Sequence, residues 1–305
     1  MTQRSQADGL GASGDPGYAG VVPTLLRAAA AVAILLLAGA LLLYLSQRRL
    51  LYFPTRGDLA GAIPRARAAG LEPWLDPGGA FLGWRAPPPE GPAEARVVVL
   101  HGNAGSALDR TYLRDVLQGP GRPSVEVFLL EYPGYGPRGG SPGEDALVDA
   151  AVEAIDLLGR AGPVFLAGES LGSAVAARAA AARPTLAGVL LVTPLASVTA
   201  VARRHYPLLP AALIRDAFRA DLALPAYGGR VAFLIAGRDE VVFADLGRAL
   251  FSAYPGPKRR WEDPRALHNT LPYRPGAQPW PEIRAFLFAP ASPGSAGGAG
   301  PGPVR

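Results

Sequence analysis

Residues 164–173 read Val164-Phe165-Leu166-Ala167-Gly168-Glu169-Ser170-Leu171-Gly172-Ser173. The apolar run over Val164–Ala167 has the length and composition of a buried strand. The Ala-rich stretch that follows, Ala174–Ala182, has the composition of a helix. Between them lies a G-x-S-x-G turn. Such a turn holds its serine at the carboxyl end of a strand, and side chains at the glycines would collide with the neighbouring backbone. The N-terminus of the following helix favours negative charge developing beside the serine. An ordinary strand-to-helix turn is the plain alternative, but the flanking elements favour a reactive Ser170.

Working outward, apolar runs recur at Arg96–Leu100, Val125–Tyr132, Ala187–Val192 and Val231–Ala236, with a shorter strand pattern at Phe81–Arg85. Helical spacing occupies Ala146–Leu158, Ala244–Ala253 and Pro281–Leu287. Fully apolar strands alternating with helices predict an α/β domain over 50–288: a mostly parallel central sheet with helices on both faces. Residues 194–228 fall between two strands and are expected to form a small cap insert. Its apolar side chains Val198, Tyr206, Leu208, Leu209, Leu213 and Phe218 can line an acyl pocket or simply pack on the core.

A serine hydroxyl needs a base to become a nucleophile. The chain has three histidines, His101, His205 and His268. Elbows of this kind run Ser, acid, His along the chain, which leaves His205 and His268. His205 lies in the Arg- and Pro-rich insert. His268 lies in a loop before the last helix and is the expected base. Asp239, after Val231–Ala236, is the expected acid, with Glu240 beside it as the alternative. For the oxyanion hole, the backbone N–H of Leu171 and that of Asn103, in His101-Gly102-Asn103-Ala104-Gly105, are the expected donors. His101 is then read as a structural residue of that loop.

Ala28–Leu45 contains 18 residues without a charge. At 1.5 Å per residue they span about 27 Å, close to the hydrocarbon thickness of a bilayer. Residues 23–47 are therefore expected to form a transmembrane helix, with Tyr44, Arg48 and Arg49 at its interface. Ala38-Gly39-Ala40 offers the alternative of a cleaved signal peptide, but the apolar run continues through Leu41, Leu42 and Leu43. Arg27 precedes the uncharged stretch, with Arg4 farther back, while Arg48, Arg49 and Arg56 follow it closely. Positive-inside counting thus predicts a single-pass protein with its large domain in the cytoplasm. Residues 1–22 and 289–305 read as disordered tails. The formal charge of +5 comes from scattered arginines and one lysine, Lys258. No basic stripe with interleaved aromatics suggests nucleic acid. The absence of cysteine excludes disulfides and thiolate metal sites.

The segments LHGNAGS, YPGYGPRGGSP, GESLGS, AGRDEVV and LHNTL, with LLYFPT after the apolar span, resemble membrane-anchored α/β-hydrolase-domain proteins that carry a HGNAG loop. More distantly the chain is similar to the serine aminopeptidase branch of that fold. Pro133, Arg138 and Phe243 depart from the pattern. The resemblance covers 50–288 and implies the α/β-hydrolase fold, a Ser170–Asp239–His268 triad, and hydrolysis of an acyl ester or thioester. The implied substrate is a small-molecule or lipid acyl compound, with no metal or organic cofactor. A serine peptidase and a non-catalytic membrane scaffold are the competing functions.

Overall fold

The computed structural model describes residues 18–290, with side chains from residue 23 onward. The expected tails lie largely outside these residues. The first unit is an apolar helix, α1 (Tyr18–Leu51), which continues through Arg48 into the second unit. It starts five residues before the expected boundary at 23 and ends four after 47. Ala and Leu carry its core, and both are among the strongest helix formers. Its Pro23–Leu51 portion is a candidate membrane span by length and composition, a test that a signal sequence near an N-terminus also passes.

The second unit, Arg48–Arg305, is built around an eight-stranded sheet. Its strands are β1 (Glu72–Leu75), β2 (Phe81–Ala86), β3 (Ala95–Leu100), β4 (Val125–Leu130), β5 (Val164–Glu169), β6 (Gly188–Val192), β7 (Arg230–Ala236) and β8 (Lys258–Asp263). Their spatial order is β1-β2-β4-β3-β5-β6-β7-β8. β1 and β2 pair antiparallel with each other, and β2 pairs antiparallel with β4. All remaining neighbours are parallel. A mostly parallel sheet covered by helices on both faces is what the apolar strand runs imply, and the α/β-hydrolase fold is the one the sequence resemblance implies.

Successive side chains of a strand point to opposite faces. Val98 and Leu100 of β3, with Leu166 of β5 and Leu191 of β6, join one buried cluster. Val97 and Val99, with Phe165 and Leu190, join the other. The first is covered by α4 (Glu144–Gly159), α5 (Leu171–Ala182) and α8 (Ala244–Ala253), through Leu147, Ala174 and Leu250. The second is covered by α2 (Leu59–Ala68), α3 (Thr111–Leu117) and α9 (Trp280–Leu287), through Ala66, Val116 and Ile283. Glu126 is the polar exception inside β4; Arg85 at 2.6 Å and Arg96 at 3.2 Å compensate it.

The insert between β6 and β7 carries α6 (Val198–His205) and a single short turn, α7 (Ala220–Ala223). The Val198 N–H donates to the Ala217 carbonyl, so 198–217 is a closed excursion from the domain. The structure divides the apolar residues of this insert between the two expected outcomes. Phe218 is fully buried and packs in the main core, while Tyr206, Leu208 and Leu213 are exposed.

Candidate active site

In open α/β sheets, ligand sites form outside the carboxyl ends of the strands. The loops after β3, β5, β7 and β8 meet there. At the end of β5 the chain turns sharply into α5 through Ser170, at φ 54 and ψ −119. A non-glycine residue in that region costs on the order of 1–3 kcal/mol. The turn is held by the Ser170 N–H to the Val192 carbonyl at 3.0 Å. The flanking glycines are obligatory: a Cβ on Gly168 would strike the Gly172 carbonyl, and one on Gly172 would strike the Leu100 carbonyl.

His268 reaches this serine from the loop after β8. Its Nε2 stands 3.1 Å from the Ser170 Oγ, and its Nδ1 stands 2.7 Å from the Asp239 Oδ2. Asp239 follows β7; its Oδ1 accepts from the N–H groups of Val241 and Val242 at 2.9 and 3.0 Å. Burial opposes ionisation of Asp239, but the hydrogen bond and charge of His268, with those two amides, outweigh it and hold the carboxyl below its ordinary value. The Arg238 N–H donates to the Ala266 carbonyl, lacing the acid loop to the histidine loop. Glu240 is exposed and makes no bond to His268.

The loop after β3 lies against the elbow: a Cβ on Gly102 would sit 3.5 Å from the Ser170 Cβ. Asn103 is fixed by its carbonyl, which accepts from the Phe53 N–H at 2.9 Å and the Tyr135 hydroxyl at 2.7 Å. Its side-chain amide donates to the Leu51 carbonyl. The backbone N–H groups of Asn103 and Leu171 donate to no protein acceptor among the described residues. His101 is fully buried, and its Nδ1–H donates to the Gly102 carbonyl at 2.7 Å. His205 ends α6, exposed, with its ring 4.9 Å from that of Phe243.

A carboxylate that sequence reasoning passed over sits within the elbow itself. Glu169 accepts from the Tyr112 hydroxyl at 2.7 Å and from the Tyr273 hydroxyl at 2.9 Å. Arg110 lies 2.8 Å from its Oε2 and also donates to the Ala104 carbonyl. Burial, then the charge of Glu169, pushes the phenols of Tyr112 and Tyr273 up, so both remain donors. Glu169 thereby ties the elbow to the loop after β3 and to the loop that carries His268. The only sequence signal was an acidic residue inside G-x-S-x-G, with no indication of its partners.

A family model described as the alpha/beta hydrolase family matches residues 97–296, more than half of the chain. The chain belongs to the α/β hydrolase family. Within reach of this member are two uncharacterized proteins of Mycobacterium tuberculosis. One is 34% identical over 273 residues, covering 86% of this chain and 95% of the relative. The other is 34% identical over 250 residues, covering 79% and 87%. Solved α/β hydrolases share the fold at lower identity. Est1E from Butyrivibrio proteoclasticus, solved with ferulic acid, aligns with a TM-score of 0.56 at 17% identity, over 70% of this chain and 96% of its own. An esterase of Pyrococcus furiosus aligns with a TM-score of 0.51 at 16% identity, over 72% and 90%.

Proposed function

We propose that this α/β hydrolase is a membrane-anchored serine hydrolase that cleaves acyl ester or thioester bonds through an acyl-enzyme on Ser170. The observation that carries the reading is the single imidazole of His268, 2.7 Å from Asp239 on one side and 3.1 Å from the Ser170 hydroxyl on the other. With Nδ1–H donating to Asp239, Nε2 is free to take the serine proton as Oγ bonds to the acyl carbon. The N–H groups of Asn103 and Leu171 receive the oxyanion, a contribution of about 3–4 kcal/mol per donor in comparable sites. When the tetrahedral intermediate collapses, the bond to the leaving alcohol or thiol breaks and His268 returns the proton to it. Water then attacks the acyl-enzyme, giving its proton to His268, and release of the acid restores the Ser170 hydroxyl. No step requires a metal or an organic cofactor. The esterase name of the structurally similar Pyrococcus furiosus protein agrees with this choice of bond.

A fluorophosphonate probe tests the nucleophile directly. The native chain is expected to label at Ser170, and failure of the native chain to label overturns the reading. A panel of p-nitrophenyl esters of increasing chain length, run beside aminoacyl amides, tests the bond; preference for the amides would make the enzyme a peptidase. For the anchor, the full chain is expected to stay with membranes after a carbonate wash. A mature N-terminus at Leu41 would establish a signal peptide instead. Arg27 close before the uncharged stretch, with Arg4 farther back, against Arg48, Arg49 and Arg56 after it, favours a large domain facing the cytoplasm. Its degradation by protease added to intact spheroplasts would reverse that orientation.

A further inference from the structure

Several of the large apolar side chains left exposed in the second unit lie on the loops and the insert that border the candidate site, whereas Leu75 ends the edge strand β1. Phe53 is 53% exposed although its N–H is bonded to the Asn103 carbonyl. Val241 and Leu267, at 51% and 46%, lie on the loops that bear Asp239 and His268. Leu208, in the insert, is 96% exposed, and Tyr206 beside it is 67% exposed. The insert also spans the rim from side to side. At one end the His205 Nε2 stands 3.5 Å from the Val241 carbonyl, and its ring lies against Phe243. At the other end Asp216 accepts from Arg48 at 3.0 and 3.1 Å and from the Tyr52 hydroxyl at 3.0 Å. The neighbouring Leu51 carbonyl is bonded to the Asn103 side chain, so this end leads to the loop after β3. The 206–213 segment thus joins an end held at the acid loop to an end held by Arg48 and Tyr52.

We infer that this apolar rim is a lipid-docking surface, by which the enzyme turns the mouth of its site onto a bilayer and takes an acyl substrate that resides in it. The inference deepens the proposed hydrolase function and rests on it. Two observations select a lipid surface as the occupant. The rim is continuous in sequence with the candidate span: Leu50 is 61% exposed at its last turn, and Phe53 follows two residues after Leu51. Arg49 and Arg203 are exposed and form no ion pair among the described residues, which complements anionic headgroups.

The cysteine-free chain allows a direct test. Single cysteines are placed at Leu208→Cys and, as control, at Thr185→Cys, in the exposed connection between α5 and β6 at the opposite edge of the sheet. Each full-length variant carries an environment-sensitive fluorophore and is reconstituted in phosphatidylcholine–phosphatidylglycerol vesicles with spin-labelled lipids. Quenching at 208 should exceed that at 185 several-fold. Equal quenching at the two positions overturns the inference, and a blue-shifted but unquenched label at 208 overturns it in favour of a protein partner or a second copy. In the activity arm, Leu208→Asp should raise KM for a long-chain ester embedded in vesicles about tenfold. Its turnover of water-soluble p-nitrophenyl acetate should stay unchanged. Inactivity of the native chain on both esters, with quenching at 208 intact, would instead mark failure of the hydrolase reading.

Discussion

Two histidine–carboxylate pairs stand at the carboxyl edge of the sheet, and only one of them meets a serine hydroxyl. His268 and Asp239 are 2.7 Å apart, and the imidazole is 11% exposed, within reach of solvent. His101 and Glu131 are 3.4 Å apart and both wholly buried. The second pair faces Tyr132 and Tyr135, whose rings lie 4.1 and 4.9 Å from that of His101. Its His101 Nε2 and Glu131 Oε2 have no hydrogen-bond partner among the described residues. A base needs a donor to work on and access to the outside. Deprived of both, the same pair of residue types becomes an internal brace: the Glu131 Oε1 accepts the Ala107 N–H, and the His101 carbonyl accepts the Tyr132 hydroxyl. The brace sets the loop that presents Asn103.

Substitutions can break this contrast, beginning with the largest effect. Ser170→Ala should lower ester turnover by about 10⁶-fold without unfolding the domain. Normal turnover in that variant would remove the first pair from the chemistry. Asp239→Asn should lower kcat by roughly 10⁴-fold, because the amide favours the wrong imidazole tautomer. Glu240→Gln serves as its comparison and should be close to native; the reverse ranking would exchange the two acids. Glu169→Gln keeps the shape of the clamp and removes its charge, and should lower kcat by about tenfold with KM little changed, a misplacement of the loops smaller than 1 Å. A change confined to the melting temperature would make Glu169 purely structural.

For the second pair the expected effect moves from rate to stability. Glu131→Ala should cost about 3 kcal/mol by leaving its buried partner uncompensated, which lowers the melting temperature by roughly 6–12 °C. Turnover below the melting range should remain within a few-fold. A loss comparable with that of Asp239→Asn would show that both pairs serve the reaction. The smallest effect concerns pH. The Asp239 carboxyl is depressed in the folded state, so its contribution to stability is complete above the ordinary carboxylate value. It is lost as pH falls through the lower, folded value. Melting curves recorded between about pH 5 and 2 should therefore fall less steeply for Asp239→Asn than for the native chain.

What the sequence determined by itself was what short-range physics governs. The apolar runs of β3 to β7 require burial on both faces, Gly168 and Gly172 permit the elbow, and the uncharged stretch of α1 has the length of a bilayer. Elements whose own residues are ambiguous were not legible. β8 is Lys258-Arg259-Arg260-Trp261-Glu262-Asp263, a polar edge strand that is extended because its backbone pairs with β7. β1, α2 and α3 are short and carry Pro or charge, so packing decides them. The tertiary structure alone decided that Phe218 belongs to the core. It also decided that Glu169 is clamped by Tyr112, Tyr273 and Arg110. Chain order could nominate Asp239 and His268, but His268 lies 98 residues from Ser170 in sequence. Only parallel pairing of strands from distant parts of the chain brings their carboxyl ends, and the loops they carry, to one edge. That pairing is fixed by hydrogen bonds between strands, which no local run of residues encodes.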